Sequence, residues 1–357
     1  MNIITVTGIR PDFIRMSEVF RALDSDPNIN HILIHTGQHY DKLLSDVFFQ
    51  ELDIRKPDYN LEIGGEGKEH FHQNAELTVK LIELIRSECL EPDWVIFLGD
   101  SNSVLVAPSL KKEGINVAHI EAGMRSGDRR MLEEVNRIVC DHSSELLFTY
   151  HDDYSDNLFK ENIPRGKVVN VGNTIVEVAK KQAKNLLLKP KKNDIIILDI
   201  HRPENFKDPD RLQAIFNWAR DLSVEFNTPC FSLEFPRTYS YIDLYGINTY
   251  HVEHMGLMSY KEYLEAVYDS VFIISDSGTA QEEPAILGTP VLVPREYTER
   301  PQSYDMFCSK YLPVDYGDVE FMEIVDFIVN VSKNMCADWL GCGNTSVEII
   351  HHLKNRA

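Results

Sequence analysis

The sequence predicts an α/β protein of two domains. Three observations carry that expectation: short β-branched runs alternate with amphipathic helical stretches, the alternation comes in two series, and a Lys-rich helical stretch stands between them. Such alternation marks parallel sheets with helices on both faces. A chain of 357 residues accommodates two domains at roughly 100–200 residues each.

The first strand is Asn2–Thr7. The stretch after it places Met16, Val19, Phe20 and Leu23 at the i, i+3, i+4, i+7 spacing of one helix face. Further strands are His31–His35, Trp94–Leu98, Ile115–Ile120, Glu145–Thr149 and Val168–Val171. The second series runs Asp194–Asp199, Pro229–Leu233, Val271–Ser275 and Pro290–Val293. Between the two lies Ile175–Lys192, helical and Lys-rich, ending in Leu188-Lys189-Pro190-Lys191-Lys192. The junction therefore falls around residues 172–192, giving domains over 1–172 and 173–340 and a final segment, 341–357. The helical stretch Ser346–Leu353 in that segment either closes the second domain or crosses back to the first.

Lys and Arg number 36 and Asp and Glu 56, for a formal net charge of −20. That balance argues against a nucleic-acid partner held through its phosphates, and it obliges any phosphorylated ligand to find a local positive pocket. The apolar run Ile195-Ile196-Ile197-Leu198 falls far short of the roughly 20 residues that span a bilayer. The N-terminus, Met1-Asn2-Ile3-Ile4, has no basic stretch and enters a strand at once, so a cytoplasmic protein without a signal peptide is expected. None of the six cysteines forms a Cys-x-x-Cys pair, and in that compartment they read as reduced thiols.

Open α/β sheets bind ligands at the carboxyl ends of their strands. Arg10 follows the first strand, in Thr7-Gly8-Ile9-Arg10-Pro11-Asp12. Asp100 follows Trp94–Leu98, Glu121 follows Ile115–Ile120, and His201 with Arg202 follows the strand that begins the second series. Asp276-Ser277-Gly278-Thr279 follows Val271–Ser275. One strand-end carboxylate is most often a helix cap or turn former. Three carboxylates, a histidine and two arginines on such edges together point to a site. Ser277-Gly278-Thr279 opens a helical stretch, Ala280–Leu287, and is either an ordinary cap or a phosphate cradle of backbone N–H groups. Pro284 falls early in that stretch, where a missing N–H is tolerated. Arg295 and Arg300 either offset diphosphate charge or sit ion-paired in a solvated loop.

Other chemistries lack their residues. No Gly-x-Gly-x-x-Gly follows the first strand, so a nicotinamide cofactor is not expected. His70-x-His72 and His351-His352 lack the cysteine or carboxylate companions of a metal site, so no metal is expected either. Ser277 lies in Asp-Ser-Gly and not in a Gly-x-Ser-x-Gly elbow, which argues against a hydrolase triad.

Ordered blocks run nearly end to end: Thr7–Asp12, His35–Asp41, Gly99-Asp100-Ser101, His119–Arg125, Glu133–Arg137, Gly172-Asn173-Thr174, His201–Asn205, Asp276–Glu283 and Thr298–Pro301. In their order and spacing the chain resembles the non-hydrolysing UDP-N-acetylglucosamine 2-epimerases. The resemblance implies two Rossmann-like domains facing a cleft, a GT-B-like architecture, and a homodimer. It matches Asp100, Glu121, Glu133 and His201 to catalytic positions. It matches Arg10, Arg15, Tyr263, Ser277, Gly278, Thr279, Glu283 and Arg300 to positions that contact the UDP-sugar substrate, Tyr263 standing where the family often has Phe. The implied reaction removes the C2 proton, expels UDP to leave a 2-acetamidoglycal, reprotonates C2 from the other face and adds UDP back, without metal or nicotinamide. A positioned base on one face and an acid on the other suit that task.

Some positions depart from the family pattern. Thr279 replaces the second Gly of the phosphate turn, Leu132 replaces a Pro, and Met258 stands at a commonly polar nucleotide contact. Asp41 and the run Glu234-Phe235-Pro236-Arg237 differ in the region implicated in allosteric UDP-GlcNAc binding. The short Glu121–Glu133 loop with Asp128-Arg129-Arg130, together with Arg15 and Thr279, resembles the branch that acts on 6-deoxy UDP-HexNAc sugars, as in the UDP-N-acetyl-L-fucosamine pathway. The expected substrate is UDP-GlcNAc or such a 6-deoxy relative. Rival readings are a GT-B glycosyltransferase, a hydrolysing 2-epimerase and a non-catalytic nucleotide-sugar binder. Arg10-Pro11-Asp12 favours the non-hydrolysing branch, which typically differs there from the hydrolysing one.

Overall fold

The computed structural model describes residues 1–37, 46–65, 69–128, 131–315, 317–331 and 334–356, with the backbone alone at 46 and 47. Asp41, Arg129 and Arg130 lie outside the described residues. The chain divides into two compact units, Met1–Val178 with Leu340–Ala357, and Ala179–Trp339.

The first unit is built on strands β1 (Asn2–Thr7), β2 (Asn30–His35), β3 (Tyr59–Asn60), β4 (Trp94–Leu98), β5 (Val117–Ile120), β6 (Leu146–Thr149) and β7 (Val168–Asn170). They pair in the order β3-β2-β1-β4-β5-β6-β7, every pair parallel. After β1 the chain turns directly into the helix Arg10–Ser25, with Pro11 in the first turn, where no N–H is needed. The Asp12 carboxylate accepts the Gly8 and Ile9 N–H groups at 2.7 and 3.1 Å and locks that turn. Met16, Val19, Phe20 and Leu23 are all buried, as their spacing predicts. Strand β5 begins two residues later than expected. The Ile115 N–H instead bonds back to the Leu110 carbonyl at 3.0 Å, closing the preceding helix.

The second unit contains β8 (Ile195–Asp199), β9 (Cys230–Leu233), β10 (Val252–Met255), β11 (Ser270–Ser275), β12 (Val291–Val293) and β13 (Ser309–Tyr311). The order is β10-β9-β8-β11-β12-β13, again wholly parallel. Its core joins Ile196, Leu198, Phe216, Trp218, Phe272 and Ile274 between sheet and helices. The first unit's main core joins Ile4, Val6, Val95, Phe97, Leu77 and Leu81 in the same way. Strands β3, β10 and β13 were not expected from the sequence. Each lies at or beside a sheet edge, and none has the continuous apolar run of a strand buried on both faces. The helix expected over 175–192 stops at Gln182. Beyond it, the Lys191 ammonium donates to the Gly288 carbonyl and to Thr289 Oγ1, both at 2.7 Å.

The C-terminal helix Thr345–Lys354 packs within the first unit. Thr345 Oγ1 donates to the Val171 carbonyl at 3.0 Å, the Ser346 N–H donates to Glu177 at 3.1 Å, and Ile349 and Leu353 are fully buried. Among the described residues no helix is long and apolar enough to cross a membrane. The returning chain meets the outgoing one at two glycines. A Cβ on Gly341, whose φ is +95°, would stand 2.9 Å from the Gly172 Cα. Left-handed φ and backbone crowding act together there, so Gly341→Ala is expected to destabilise the protein by about 2–3 kcal/mol, read as a fall in Tm by calorimetry.

Candidate functional site

In both sheets the connections reverse direction beside the first strand, between β1 and β4 and between β8 and β11. A crevice opens at the carboxyl ends of such a strand pair. The groups singled out from the sequence sit at or next to these edges.

In the first unit Asp100 follows β4. Its side chain is 26% exposed and ion-paired with Arg137, while Asn136 Nδ2 donates to its carbonyl at 2.8 Å. Glu121 follows β5 with φ at +73°, a conformation uncommon outside glycine. Its carboxylate is buried and ion-paired with Arg15. A charge so buried is tolerable only beside a partner. Arg15 also lies over the Tyr150 ring, 5.7 Å from its centroid. Arg10 opens the first helix, half-buried, 5.1 Å from the Phe48 centroid. Glu133 is half-buried in the first turn of the helix Leu132–Ser143. Its neighbour Glu134 is buried and accepts the Ser126 and Gly127 N–H groups at 3.1 and 3.2 Å, which fixes the loop that follows Glu121.

Below these groups lies a buried ionic network. His119, fully buried, places Nδ1 2.7 Å from Asp141 Oδ1 and Nε2 2.8 Å from the Gly99 carbonyl oxygen. A carbonyl only accepts, so Nε2 carries a proton, and the carboxylate takes the other N–H. Burial opposes an imidazolium, but Cys140 and the charged Asp141 outweigh it and hold the pKa well above 6.5. Burial likewise opposes ionised Asp141, and His119 with Arg125 outweighs it and lowers that pKa. Arg125 reaches Asp141 at 2.8 Å and Glu161 at 2.8 Å, and the Gly123 N–H donates to Asp141 at 3.1 Å. One network thus ties the turn bearing Asp100, the strand that leads into Glu121 and the loop beyond it.

In the second unit Asp199 ends β8 and His201 stands two residues on. His201 Nδ1 is 3.0 Å from Asp199 Oδ1 and 3.4 Å from Asp276 Oδ1. Asp276, after β11, accepts the His201 and Arg202 N–H groups at 3.0 Å and Asn205 Nδ2 at 2.9 Å, pinning the His201–Asn205 turn. Burial opposes a charged His201, Asp199 and Asp276 outweigh it, and the pKa rises above 6.5 although Arg202 works against the rise. Ligand atoms of Asp199, His201 and Asp276 lie within 4.8 Å of one another, the one such grouping among the described residues. Each of the four carboxylate oxygens already accepts a hydrogen bond, the fourth from Ser275 Oγ at 2.8 Å. The arrangement is that of a hydrogen-bonded cluster.

The turn after β11 departs from the expected helix start. Thr279–Gln281 is a 3₁₀ turn, and the α-helix spans only Glu283–Leu287. Pro284 is the reason. It has no N–H to give the Ala280 carbonyl, and its ring would collide with that group in an α-helix running through it. Small side chains still line the turn, with Ser277 Oγ 3.1 Å from Thr279 Oγ1. At Gly278 a Cβ would stand 2.7 Å from Arg300 Nη1, so the bare backbone admits the guanidinium. Arg300 is buried and held by Glu282 at 2.5 Å and Glu299 at 3.6 Å. Arg295, also buried, faces Glu204 at 3.5 Å and Glu299 at 3.7 Å, so both arginines are ion-paired. Glu283 is buried and accepts the Tyr260 hydroxyl at 3.4 Å. Tyr263 is half-buried on the helix Tyr260–Asp269. Burial first, then Asp199 and Glu283, keeps its phenol neutral far above 10.0.

Sequence reasoning did not single out His119, Asp141, Arg137 or Asp199. The available signal was spacing: His119 and Glu121, like Asp199 and His201, are two apart, the repeat that returns an extended chain to the same face.

The opposed shifts set a pH window. A raised histidine pKa stabilises the fold below 6.5 and upward until pH rises through the raised value. A lowered Asp141 pKa stabilises it above 3.8, and that stability is lost as pH falls through the lowered value. The pair therefore acts across the whole neutral range. His119→Leu leaves Asp141 short of a counter-charge and should cost about 3–5 kcal/mol near neutral pH by calorimetry. The deficit should narrow in alkaline buffer, where wild-type His119 loses its proton.

The family model described as UDP-N-acetylglucosamine 2-epimerase matches residues 21–354. A UDP-N-acetylglucosamine 2-epimerase of Methanococcus maripaludis is 36% identical over 317 residues, covering 84% of this chain and 85% of that one. A UDP-2,3-diacetamido-2,3-dideoxy-D-glucuronate 2-epimerase of Pseudomonas aeruginosa is 34% identical over 305 residues, covering 84% of each. The crystal structure of the Methanocaldococcus jannaschii UDP-GlcNAc 2-epimerase in complex with UDP-GlcNAc and UDP superposes with a TM-score of 0.88 at 30% identity, over 99% of this chain and 100% of that one. With carboxylates at one sheet edge and a histidine and Ser-Gly-Thr turn at the other, the chain belongs to the UDP-N-acetylglucosamine 2-epimerase family.

Proposed function

We propose that this protein reversibly inverts C2 of a UDP-2-acetamido sugar by eliminating UDP and adding it back, without hydrolysing the substrate. The observation that carries the reading is the strand-end chemistry. Three carboxyl groups of different setting, Asp100, Glu121 and Glu133, stand at or beside the carboxyl edge of one sheet, and His201 with the Ser277–Thr279 turn stands at that of the other. Family membership supports it.

The C2 hydrogen is weakly acidic, so its removal needs a placed base, and inversion needs a proton donor for the opposite face. Asp100, Glu121 and Glu133 supply these roles in our reading. As the C1–O bond breaks, the electron pair leaves with UDP and negative charge grows on the diphosphate. His201, charged by its two aspartates, donates there, and Arg10, Arg15 and Arg300 stabilise the same charge. Ser277, Gly278 and Thr279 offer hydroxyls and backbone N–H groups to the nucleotide, Glu283 accepts from it, and Tyr263 packs beside it as a neutral phenol. The steps balance without redox or metal chemistry. We further assign the protein to the cytoplasm, as a homodimer that serves glycan-precursor synthesis.

The sugar is a 2-acetamido hexose whose other positions vary among relatives. The Methanocaldococcus structure holds UDP-GlcNAc, whereas the Pseudomonas relative is named for a diacetamido-glucuronate. Proton NMR in D2O with UDP-GlcNAc, a 6-deoxy UDP-HexNAc and the diacetamido-glucuronate nucleotide tests reaction and substrate together. Deuterium at C2 with formation of the epimeric UDP-sugar is the expected outcome for one of them. Free sugar and UDP without the epimer would assign a hydrolysing enzyme instead. Asp100→Asn and Glu121→Gln should slow C2 exchange by roughly 10²–10⁴-fold while UDP binding, followed by calorimetric titration, survives. Loss of UDP binding in both variants would mark these carboxylates as architecture.

A further inference from the structure

We propose that Asp199 is a positioning residue for the reaction, its carboxylate holding the His201 ring with Nδ1 inward so that Nε2 faces the departing diphosphate as an N–H donor. This rests on the role given to His201 above.

The geometry begins with strand register. Asp199 is the last residue of β8 and pairs directly with Ser275 of β11, across the point where the sheet's connections reverse. The two strand ends share one hydrogen-bonded chain. The Ser277 N–H donates to Ser275 Oγ at 3.1 Å, and the Ser275 hydroxyl donates to Asp199 Oδ2 at 2.8 Å. His201 Nδ1 then donates to Asp199 Oδ1 at 3.0 Å. The backbone of the Ser277–Thr279 turn and the imidazole are thereby tied through one buried carboxylate, only 4% exposed.

Asp276 has a different task. Its oxygens are taken by the main-chain N–H groups of His201 and Arg202 and by Asn205 Nδ2, and it lies farther from the ring, at 3.4 Å. Asp276 fixes the backbone, and Asp199 fixes the ring. Phe235, 5.0 Å from the imidazole centroid, flanks it. With Nδ1–H committed to carboxylates, the ring's orientation is decided, Nε2 has no partner among the described residues, and it carries a proton to donate when the ring is charged.

Charge completes the argument. The ionised groups facing His201 are Asp199, Asp276 and Arg202, and the two carboxylates prevail, so the imidazole stays protonated above its ordinary 6.5. Tyr263, also in the field of Asp199, is neutral and adds nothing to the balance. An asparagine at 199 would keep the shape but lose the charge and one of the two acceptor oxygens that His201 and Ser275 use.

Histidine-selective NMR on the full chain provides the test, His201 being assigned by difference against His201→Gln. In the wild-type protein His201 should titrate above 6.5 with a slowly exchanging Nδ1–H. Titration at or below that value overturns the proposal without recourse to any position-199 variant. In Asp199→Asn the titration should fall, the alkaline limb of kcat should move to lower pH by about one unit or more, and kcat should drop by roughly 10²-fold with KM nearly unchanged. Asp199→Glu, which keeps the charge, should restore the titration in part. An unchanged His201 titration and an unchanged kcat profile in Asp199→Asn would overturn the proposal. Wild-type C2 exchange is measured alongside. If the wild-type protein exchanges nothing at C2 the epimerase reading fails, whereas the His201 titration still decides what Asp199 does to the ring.

Discussion

A parallel sheet covered on both faces admits a polar side chain along its strands only beside a buried partner, and that constraint shapes much else in this protein. The backbone of each strand is consumed by its neighbours, and its side chains face packed helices. Val95, Ile96 and Phe97 are wholly buried in β4, as Ile196, Ile197 and Leu198 are in β8. Chemistry is displaced to the residues just beyond, where the ladder ends and water enters. Asp100, Glu121, His201 and Ser277 all occupy that zone. Because the zone is only partly wet, its charges need partners, and the polar groups occur as bonded sets: Arg15 with Glu121, Arg137 with Asp100, His119 with Asp141, His201 with Asp199.

The overall charge of −20 makes those sets more telling. An acidic protein that handles an anionic ligand must concentrate its positive charge, and here much of it is tethered. Arg15, Arg125, Arg137 and Arg300 are each ion-paired to an acidic side chain. Such a guanidinium has already surrendered its rotamer freedom, so a ligand that meets it bears less of the ordering cost. Glu121 is held in a left-handed backbone conformation by surroundings that leave it no alternative, and strain of that kind gathers at places where a side chain must be aimed.

Most of the scaffold was legible because its signals were local. Strands β1, β4 and β8 are continuous apolar runs, and the first helix repeats its apolar residues at the helical period. Strands β10 and β13 escaped notice because edge strands are short and polar. The helical stretch expected over 280–287 is shorter because Pro284, read as falling early in it, is tolerated only in a first turn, so the helix begins next to it. At the site, the strand-end groups were visible as residue types. Their pairings were not, since Asp141 lies 22 positions from His119 and Asp276 lies 75 from His201. Pairing across such distances is a property of sheet order, which no local window contains. Asp199 was visible only as the end of a strand.

The crossing at Gly172 and Gly341 carries a consequence for how the chain is made. The second unit is one uninterrupted stretch, complete once residue 339 has been synthesised, whereas the first unit needs residues on both sides of it. During synthesis the first unit emerges earliest yet waits for its last helix, and until then the surface that receives Ile349 and Leu353 meets water. Cutting the gene at residue 178 would orphan that surface permanently. Joining residues 340–357 to 178 by a short linker would excise the second unit from an otherwise intact first unit. The protein is thus organised as one folding module inserted into another, and not as two in tandem.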